Sequence, residues 1–232
     1  VDRLRTRYSL NMAIAVDGTA TENISIQTNA SWSHTVTSNT NGLLIVAIAI
    51  DSDTVSGVTY NGDPMTEVVA IDRSGVETVY IYSLKIPDTG NNTVQVTNTN
   101  GYCGGFSMSF TGVDQTTPIE NTGTATGSAS PITQSINTTT DGAIVLDCYC
   151  SDDFVRTFTV GADQTERWKH TANVVAGGGS TEPKASAGAV TMSWTISSSE
   201  TWAQAAVVIK PAGAGATIVK DILGRGIIPF AR

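Results

Sequence analysis

At 232 residues the chain is long enough for one large β domain with appendages, and its 40% hydrophobic content excludes a disordered polymer. Only 15% of residues are charged while Thr, Ser, Asn and Gly are abundant, so outward positions carry hydroxyls and amides rather than Lys and Glu. The net charge of −8 repels phosphate backbones and argues against nucleic acid as a partner.

In chain order, Trp32 to Val36 alternates apolar and polar residues, the pattern of a half-buried strand. Leu43 to Ile50 is continuously apolar and predicts a central strand buried on both faces. That run is far short of the roughly 20 residues a membrane helix needs, so no membrane insertion is expected. Val58 to Tyr60, then Asn61-Gly62-Asp63-Pro64, then Met65 to Ile71 predicts a hairpin, because Asn-Gly accepts the positive φ angles of a tight turn. Strands are expected at Val76 to Ile86 and Asn92 to Thr97. The next strand places Tyr102, Phe106, Met108 and Phe110 on one face, with glycines at 101, 104 and 105 marking a bulge or a close backbone approach.

The Ser/Thr/Gly-rich stretch from Asn121 to Ser130 reads as an edge strand or an exposed loop. Ile132 to Ile136 precedes a turn at Asp141-Gly142, and Ala143 to Cys150 repeats the doubly buried pattern. Shorter strands are expected at Phe154 to Val160, Gln164 to His170 and Val174-Val175. Gly177-Gly178-Gly179 reads as a flexible loop rather than a phosphate loop, since no Lys-Ser/Thr follows. Ala189 to Ile196 and Trp202 to Lys210 close the domain, with Trp194 and Trp202 as core anchors. The period of two throughout points to an all-β fold, a two-sheet antiparallel sandwich, jelly-roll-like, with an extended C-terminal tail. The expected division is a basic arm over 1–12, a β-sandwich over 13–211, and a linker with an interaction segment over 212–232.

Several strings, in order, carry a resemblance: Ser56 to Thr66 (SGVTYNGDPMT), Phe110 to Ile119 (FTGVDQTTPI), Gly179 to Pro183, Val190 to Ser199, and Trp202 to Pro211. Together they resemble a β-sandwich module common in environmental bacterial surface proteins and phage fibre or virion proteins, mostly of unassigned function. The resemblance spans about 13–211 and implies an exposed, extracellular or virion setting. It carries no catalytic residues.

The residues themselves offer little catalytic chemistry. Only His34 and His170 could serve as a base for a Ser or Cys nucleophile, and both sit in Thr/Ser-rich strand contexts without a G-x-S-x-G elbow. Asp147, Asp152, Asp153, Glu166 and Glu182 would have to converge to cleave a glycoside. Asp51-Ser52-Asp53 and Asp152-Asp153 could hold Ca²⁺, although turn-forming Asp is the preferred account of them. Cys103, Cys148 and Cys150 make no disulfide framework; Cys148 and Cys150 share a strand face, and a Cys103 bridge to one of them is the alternative. Trp32, Tyr60, Tyr149 or Trp168 could stack on a glycan. The expectation is therefore no enzyme and no required cofactor.

The termini differ from the body. Arg3, Arg5 and Arg7 against Asp2 make the N-terminus +2, and Lys220, Arg225 and Arg232 against Asp221 make the C-terminus +2; subtracting both from −8 leaves −12 between residues 8 and 210. After Pro211 a small-residue linker leads to Ile218, Val219, Ile222, Leu223, Ile227, Ile228 and Phe230. Ile218, Val219, Ile222 and Leu223 have the spacing of a short amphipathic helix, whereas Gly224, Gly226 and Pro229 force an extended chain beyond it. Burying Ile227, Ile228 and Phe230 is worth roughly 1.5–3 kcal/mol each before ordering costs. Fold-back of the tail on its own sandwich is one destination. The preferred one is a neighbouring copy, which makes the chain a self-assembling structural subunit of an extracellular filament or virion, with Arg3, Arg5 and Arg7 attracted to acidic bodies. A surface adhesin or glycan-binding module is the alternative.

Overall fold

The structure, a computed structural model, describes residues 12–18, 29–99, 102–152, 157–172 and 175–213, together with strand backbone at 7–8, 21–25, 218–220 and 226–227. The strands up to the middle of the chain are β1 (Arg7–Tyr8), β2 (Ala15–Val16), β3 (Thr21–Ser25), β4 (Ser31–Val36), β5 (Leu43–Asp51), β6 (Val55–Tyr60), β7 (Asp63–Pro64), β8 (Thr66–Arg73), β9 (Glu77–Lys85), β10 (Gly90–Asn98) and β11 (Tyr102–Thr111). They are followed by β12 (Ile119–Gly127), β13 (Ile132–Thr138), β14 (Ala143–Ser151), β15 (Phe158–Val160), β16 (Thr165–Ala172), β17 (Val175–Lys184), β18 (Gly188–Ile196), β19 (Trp202–Ile209), β20 (Ile218–Lys220) and β21 (Gly226–Ile227). No helix occurs among the described residues, and the fold is all-β and sandwich-like.

Four antiparallel sheets make the body. Their order in the stack follows from which side chains share a core. The outer sheet β4-β10-β6-β7 covers one face of β5 through Trp32, Val36, Val58, Tyr60, Val94 and Val96 against Leu44, Val46, Ile48 and Ile50. The opposite face of β5, with Leu43, Ile45, Ala47 and Ala49, meets Ile144, Leu146, Cys148 and Cys150 of β14 and Ala203, Ala205, Val207 and Ile209 of β19. Two inner sheets, β2-β11-β5-β9-β8 with β3 also on β11, and β12-β19-β14-β17-β16, therefore lie face to face. The fourth sheet, β13-β18-β15, closes the far side through Ile136, Val190, Met192, Ile132, Trp194 and Ile196.

Burial along each strand reports its layer. The outer strands β4 and β13 alternate between buried and exposed residues, as a sheet with one wet face requires. β14 and β19 are buried at every position, and β5 at every position but its last, because both faces of the inner sheets are covered. The continuous apolar runs of the sequence thus signify an antiparallel sheet with a neighbour on each side. Two sheets cannot supply that; four do.

The two halves repeat one wiring. Counting strands within the second half, the inner sheet runs first, eighth, third, sixth (β12-β19-β14-β17) and the outer sheet second, seventh, fourth (β13-β18-β15). The first half runs β3-β11-β5-β9 and β4-β10-β6 in the same scheme. This is jelly-roll order, with the fifth strand at the border between sheets. In the first half it splits: β7 pairs with β6, then the chain crosses at Met65 into β8 on β9. The halves join through their common core rather than through strand pairing, apart from a single bridge between Val113 and Pro211.

Local expectations hold at the Asn61-Gly62 turn, where both residues have positive φ (51° and 89°) between the paired residues Tyr60 and Asp63. Asn121 to Ser130 resolves as edge strand β12 over most of its length. Trp194 and Trp202 are buried anchors, the latter donating its indole N–H to the Ala129 carbonyl. Cys103, Cys148 and Cys150 are free, buried thiols, so the alternative of a Cys103 disulfide is set aside.

Gly177 to Gly179 corrects the sequence reading. They form the interior of β17, not a flexible loop. A Cβ on Gly177 would lie 2.6 Å from the Trp168 ring, one on Gly178 2.5 Å from Tyr149, and one on Gly179 2.2 Å from Phe106. The glycines are there because three aromatic rings occupy the space their side chains would need. Phe106 reaches across from the other half and stacks on Trp168 at 5.9 Å.

Candidate assembly surface

Both chain ends leave the body beside Gly112. On one side Ala212 donates its backbone N–H to the Gly112 carbonyl at 2.8 Å. On the other, a Cβ on Gly112 would sit 2.5 Å from the Ala13 carbonyl oxygen, and its φ of 73° also favours glycine. Residue 112 therefore has to be small for the two terminal segments to pass it together. β2 pairs with the end of β11, placing Val16 opposite Phe110.

Beyond the body the ends pair with each other. β1, β20 and β21 form a separate antiparallel sheet in which Arg7 faces Val219, Tyr8 faces Ile218, Val219 faces Ile227 and Lys220 faces Gly226. Four of the expected interaction residues, Arg7, Ile218, Val219 and Ile227, thus meet in one small sheet. Ile218–Lys220 is a strand, which corrects the helical reading of that stretch. β-branched Ile218 and Val219 suit a pleated partner, and the partner lies more than 200 positions away, out of reach of any local spacing rule. Arg3, Arg5, Ile222, Leu223, Ile228 and Phe230 lie outside the described residues.

The same end of the body carries the exposed large hydrophobic side chains among the described residues: Met12 at 43%, Val16 at 38% and Ile86 at 58%. Asn41 reaches Met12 through its side-chain amide, and the Ile86 N–H donates to the Gly42 carbonyl at 3.0 Å. Ile86 has φ 50°, an uncommon backbone state for a β-branched residue, and it presents that side chain to solvent. Sequence reasoning missed all three. The available signal was an Ile at a turn tip directly before Pro87.

Two of the chemical candidates of the sequence, His34 and Asp147, lie elsewhere and are enclosed. His34 is fully buried; its Nε2 is 3.1 Å from Ser109 Oγ and its Nδ1 2.9 Å from Ser107 Oγ, while Ser109 donates to Asp17. Burial lowers its pKa to about 4, with the Asp17 charge pulling the other way. The serine stands between His34 and the carboxylate, the reverse of a triad, and no substrate reaches it. Asp147 is equally enclosed between the inner and outer sheets of the second half. It accepts from the Ser180 N–H (2.7 Å) and hydroxyl (2.6 Å), the Trp194 indole N–H (3.0 Å) and the Gln204 amide (2.7 Å). Burial pushes its carboxyl up to about 6 despite those four donors.

Glu166 and Glu182 have ion-pair partners of their own. Glu166 pairs with Lys169 at 2.9 Å and Glu182 with Lys184 at 3.7 Å. Among the described residues no three His, Cys, Asp or Glu side chains group as a metal site. Of the Ca²⁺ candidates, Asp51 takes the Ser52 hydroxyl and Asp53 the Thr54 N–H, which is turn chemistry; Asp153 lies outside the described residues. Burial keeps the Cys148 and Cys150 thiols protonated and pushes Cys103 up to about 12. The four aromatic residues singled out for glycan stacking, Trp32, Tyr60, Tyr149 and Trp168, are all buried core residues, which corrects that assignment. Each ring is part of the core.

Comparison with protein-family models, curated proteins and solved structures returns no match to the chain. The fold agrees with the β-sandwich that the resemblance implied, and the functional reading rests on the geometry alone.

Proposed function

We propose that the chain is a non-enzymatic structural subunit of an extracellular filament or virion, joined to its neighbours through its terminal segments. One observation carries the reading: both ends leave the body at a single point, pair in a sheet of their own, and do so where Met12, Val16 and Ile86 are exposed. Apolar side chains grouped at one end of an otherwise polar, acidic body mark a contact surface. Basic ends and a body at −12 attract copies of the chain to one another. The interior carboxylate of Asp147 is held by four structural donors. An adhesin or glycan-binding role has less support, since its aromatic candidates are enclosed.

The test is electron microscopy of the purified chain beside a glycan array. Long or regular particles with no sugar signal are expected. Discrete monomers that bind a defined glycan would replace this reading with the adhesin.

A further inference from the structure

We infer that edge strand β12 pairs antiparallel with β12 of a second copy, about a twofold axis at Thr124. The inference rests on the assembly reading above and adds to it a lateral contact within the body. Its first ground is that this edge is open. An edge strand is a ready template for another strand, and proteins guard it with charge, bulges, Pro or brevity. At the other borders of the inner sheets, β8 carries Glu67, Asp72 and Arg73 with a register shift after Glu67, and β16 carries Glu166, Arg167 and Lys169 with a shift after Glu166. β2 has two residues, and β3 includes Glu22. In β12 the shift and the one charge both come at the start. There Glu120 turns to the β13 end, accepting from the Thr139 N–H at 2.7 Å and the Thr140 hydroxyl at 2.6 Å. The remainder, Asn121 to Gly127, has no such guard.

The second ground is that the strand is its own complement. Lys210 donates its N–H to the Pro118 carbonyl, so by alternation Val208, Ala206 and Gln204 of β19 turn their main-chain groups toward β12. Their partners are Asn121, Gly123 and Ala125, which leaves the main-chain groups of Thr122, Thr124 and Thr126 directed away from the sheet. The Thr122 N–H takes the Asn121 side-chain oxygen at 3.0 Å, as an outward donor does. Paired about Thr124, the five residues Thr122 to Thr126 set Thr against Thr and Gly123 against Ala125. The three Thr side chains are exposed on one face, while a Cβ on Gly123 would lie 2.1 Å from the Gln134 amide on the other. A joined sheet therefore keeps hydroxyls on one side and small groups over the outer sheet, and Thr–Thr pairs across strands are favourable. Self-complementarity of this kind is what a twofold contact between identical chains requires.

The third ground is charge. Residues 121–140, which contain β12 past its first turn and all of β13, include no Asp, Glu, Lys or Arg, in a body at −12. The two strands lie on one flank, where the Asn121 amide donates to the Asn137 carbonyl at 3.0 Å. Two acidic bodies can meet along this flank without setting like charges against each other. The ladder is short and buries far less than the roughly 800 Å² per partner of a stable complex. It therefore joins copies that the ends have already brought together, where a high effective concentration makes a weak contact sufficient.

The experiment uses the full chain with one cysteine at the axis. Cα atoms of a directly opposed, hydrogen-bonded pair lie about 5.5 Å apart, within reach of a disulfide. Thr124→Cys is compared with Thr191→Cys, an exposed position on β18 away from the edge. Cys103, Cys148 and Cys150 are buried and give little background. Under mild oxidation at assembling concentrations, Thr124→Cys is expected to run mainly as a disulfide-linked dimer on a non-reducing gel and Thr191→Cys as a monomer. A mixture of Thr122→Cys and Thr126→Cys, which fixes the register and guards against a disruptive substitution, is expected to give a dimer joining one of each. Failure of both tests, or cross-linking of Thr124→Cys no greater than that of Thr191→Cys, overturns the edge pairing. Where particles still form in that case, the assembly reading survives and only the edge fails. Dimers through Thr124→Cys from a chain that forms no larger particles keep the edge and fail the terminal reading.

Discussion

The body and the terminal sheet are built from the same kind of strand under opposite conditions. β14 runs nine residues with every side chain enclosed between two other sheets, whereas β1 and β21 have two residues each and pair in a small sheet of their own. Each body strand is held by sheets on one or both faces; β1 and β21 are each held by one ladder, to β20. The lesson is a division of labour. On the proposed reading, stability resides in the four stacked layers and association in the ends.

The largest effect that sharpens this contrast is in the body. Trp194, on β18 of the outer sheet, is fully buried against Tyr149 of the inner sheet, with its ring 4.9 Å from that of Tyr149. Trp194→Ala is expected to cost about 3–5 kcal/mol in a denaturant melt, through the cavity and the lost donor to Asp147. A loss under 1 kcal/mol would mean the outer layer is not packed as described.

Next comes Asp147→Asn. Each carboxylate oxygen accepts two donors, and an amide can satisfy only one such pair, turning its own N–H bonds toward the other. The expected destabilisation is about 2–4 kcal/mol, read as a drop in melting temperature at pH 7 with assembly unchanged at temperatures where the variant is folded.

The pH dependence is smaller and has a sign for each half. His34 falls from 6.5 to about 4 on folding, so its contribution is full above 6.5 and is lost as pH falls toward 4. Asp147 rises from 3.8 to about 6, so its contribution is full below 3.8 and is lost as pH rises through 6. Each slope is at most about 1.4 kcal/mol per pH unit, and between pH 4 and 6 the two oppose each other. Melts of His34→Gln across that window should show stability rising toward acid relative to the parent chain. Equal slopes for variant and parent would remove His34 from the account.

Smallest of all is the effect of removing residues 214–232 on the melt. Pro211 and Ala212 already close the body against Val113 and Gly112, so the shortened chain should match the full one within about 0.5 kcal/mol under conditions where neither assembles. A larger loss would place the tail on its own sandwich.

Much of the body was legible from periodicity, because burial follows it directly: the alternation from Trp32 to Val36 and the unbroken run from Leu43 to Ile50 match their layers. The sandwich is expected from the sequence with two sheets and has four, and an antiparallel strand buried on both faces already demands more than two. The repeat is faint in the sequence. Asn41-Gly42-Leu43 recurs one hundred positions on as Asp141-Gly142-Ala143, and Val58-Thr59-Tyr60 as Phe158-Thr159-Val160, but the echo preserves turns and polarity more than identity. Gly177 to Gly179 resembled a loop because the ring that excludes a side chain at Gly179 belongs to Phe106, far away in sequence. The tail's apolar residues were visible, while their pairing with Arg7 and Tyr8 depends on both ends passing Gly112, which no local pattern records.

Sedimentation of the full chain beside a chain ending at Gly213, at matched concentrations, tests the division of labour most directly. The full chain should run as multi-subunit particles and the shortened one as a folded monomer. Particles of the same size from the shortened chain, or a full chain that stays monomeric at every concentration, would contradict it.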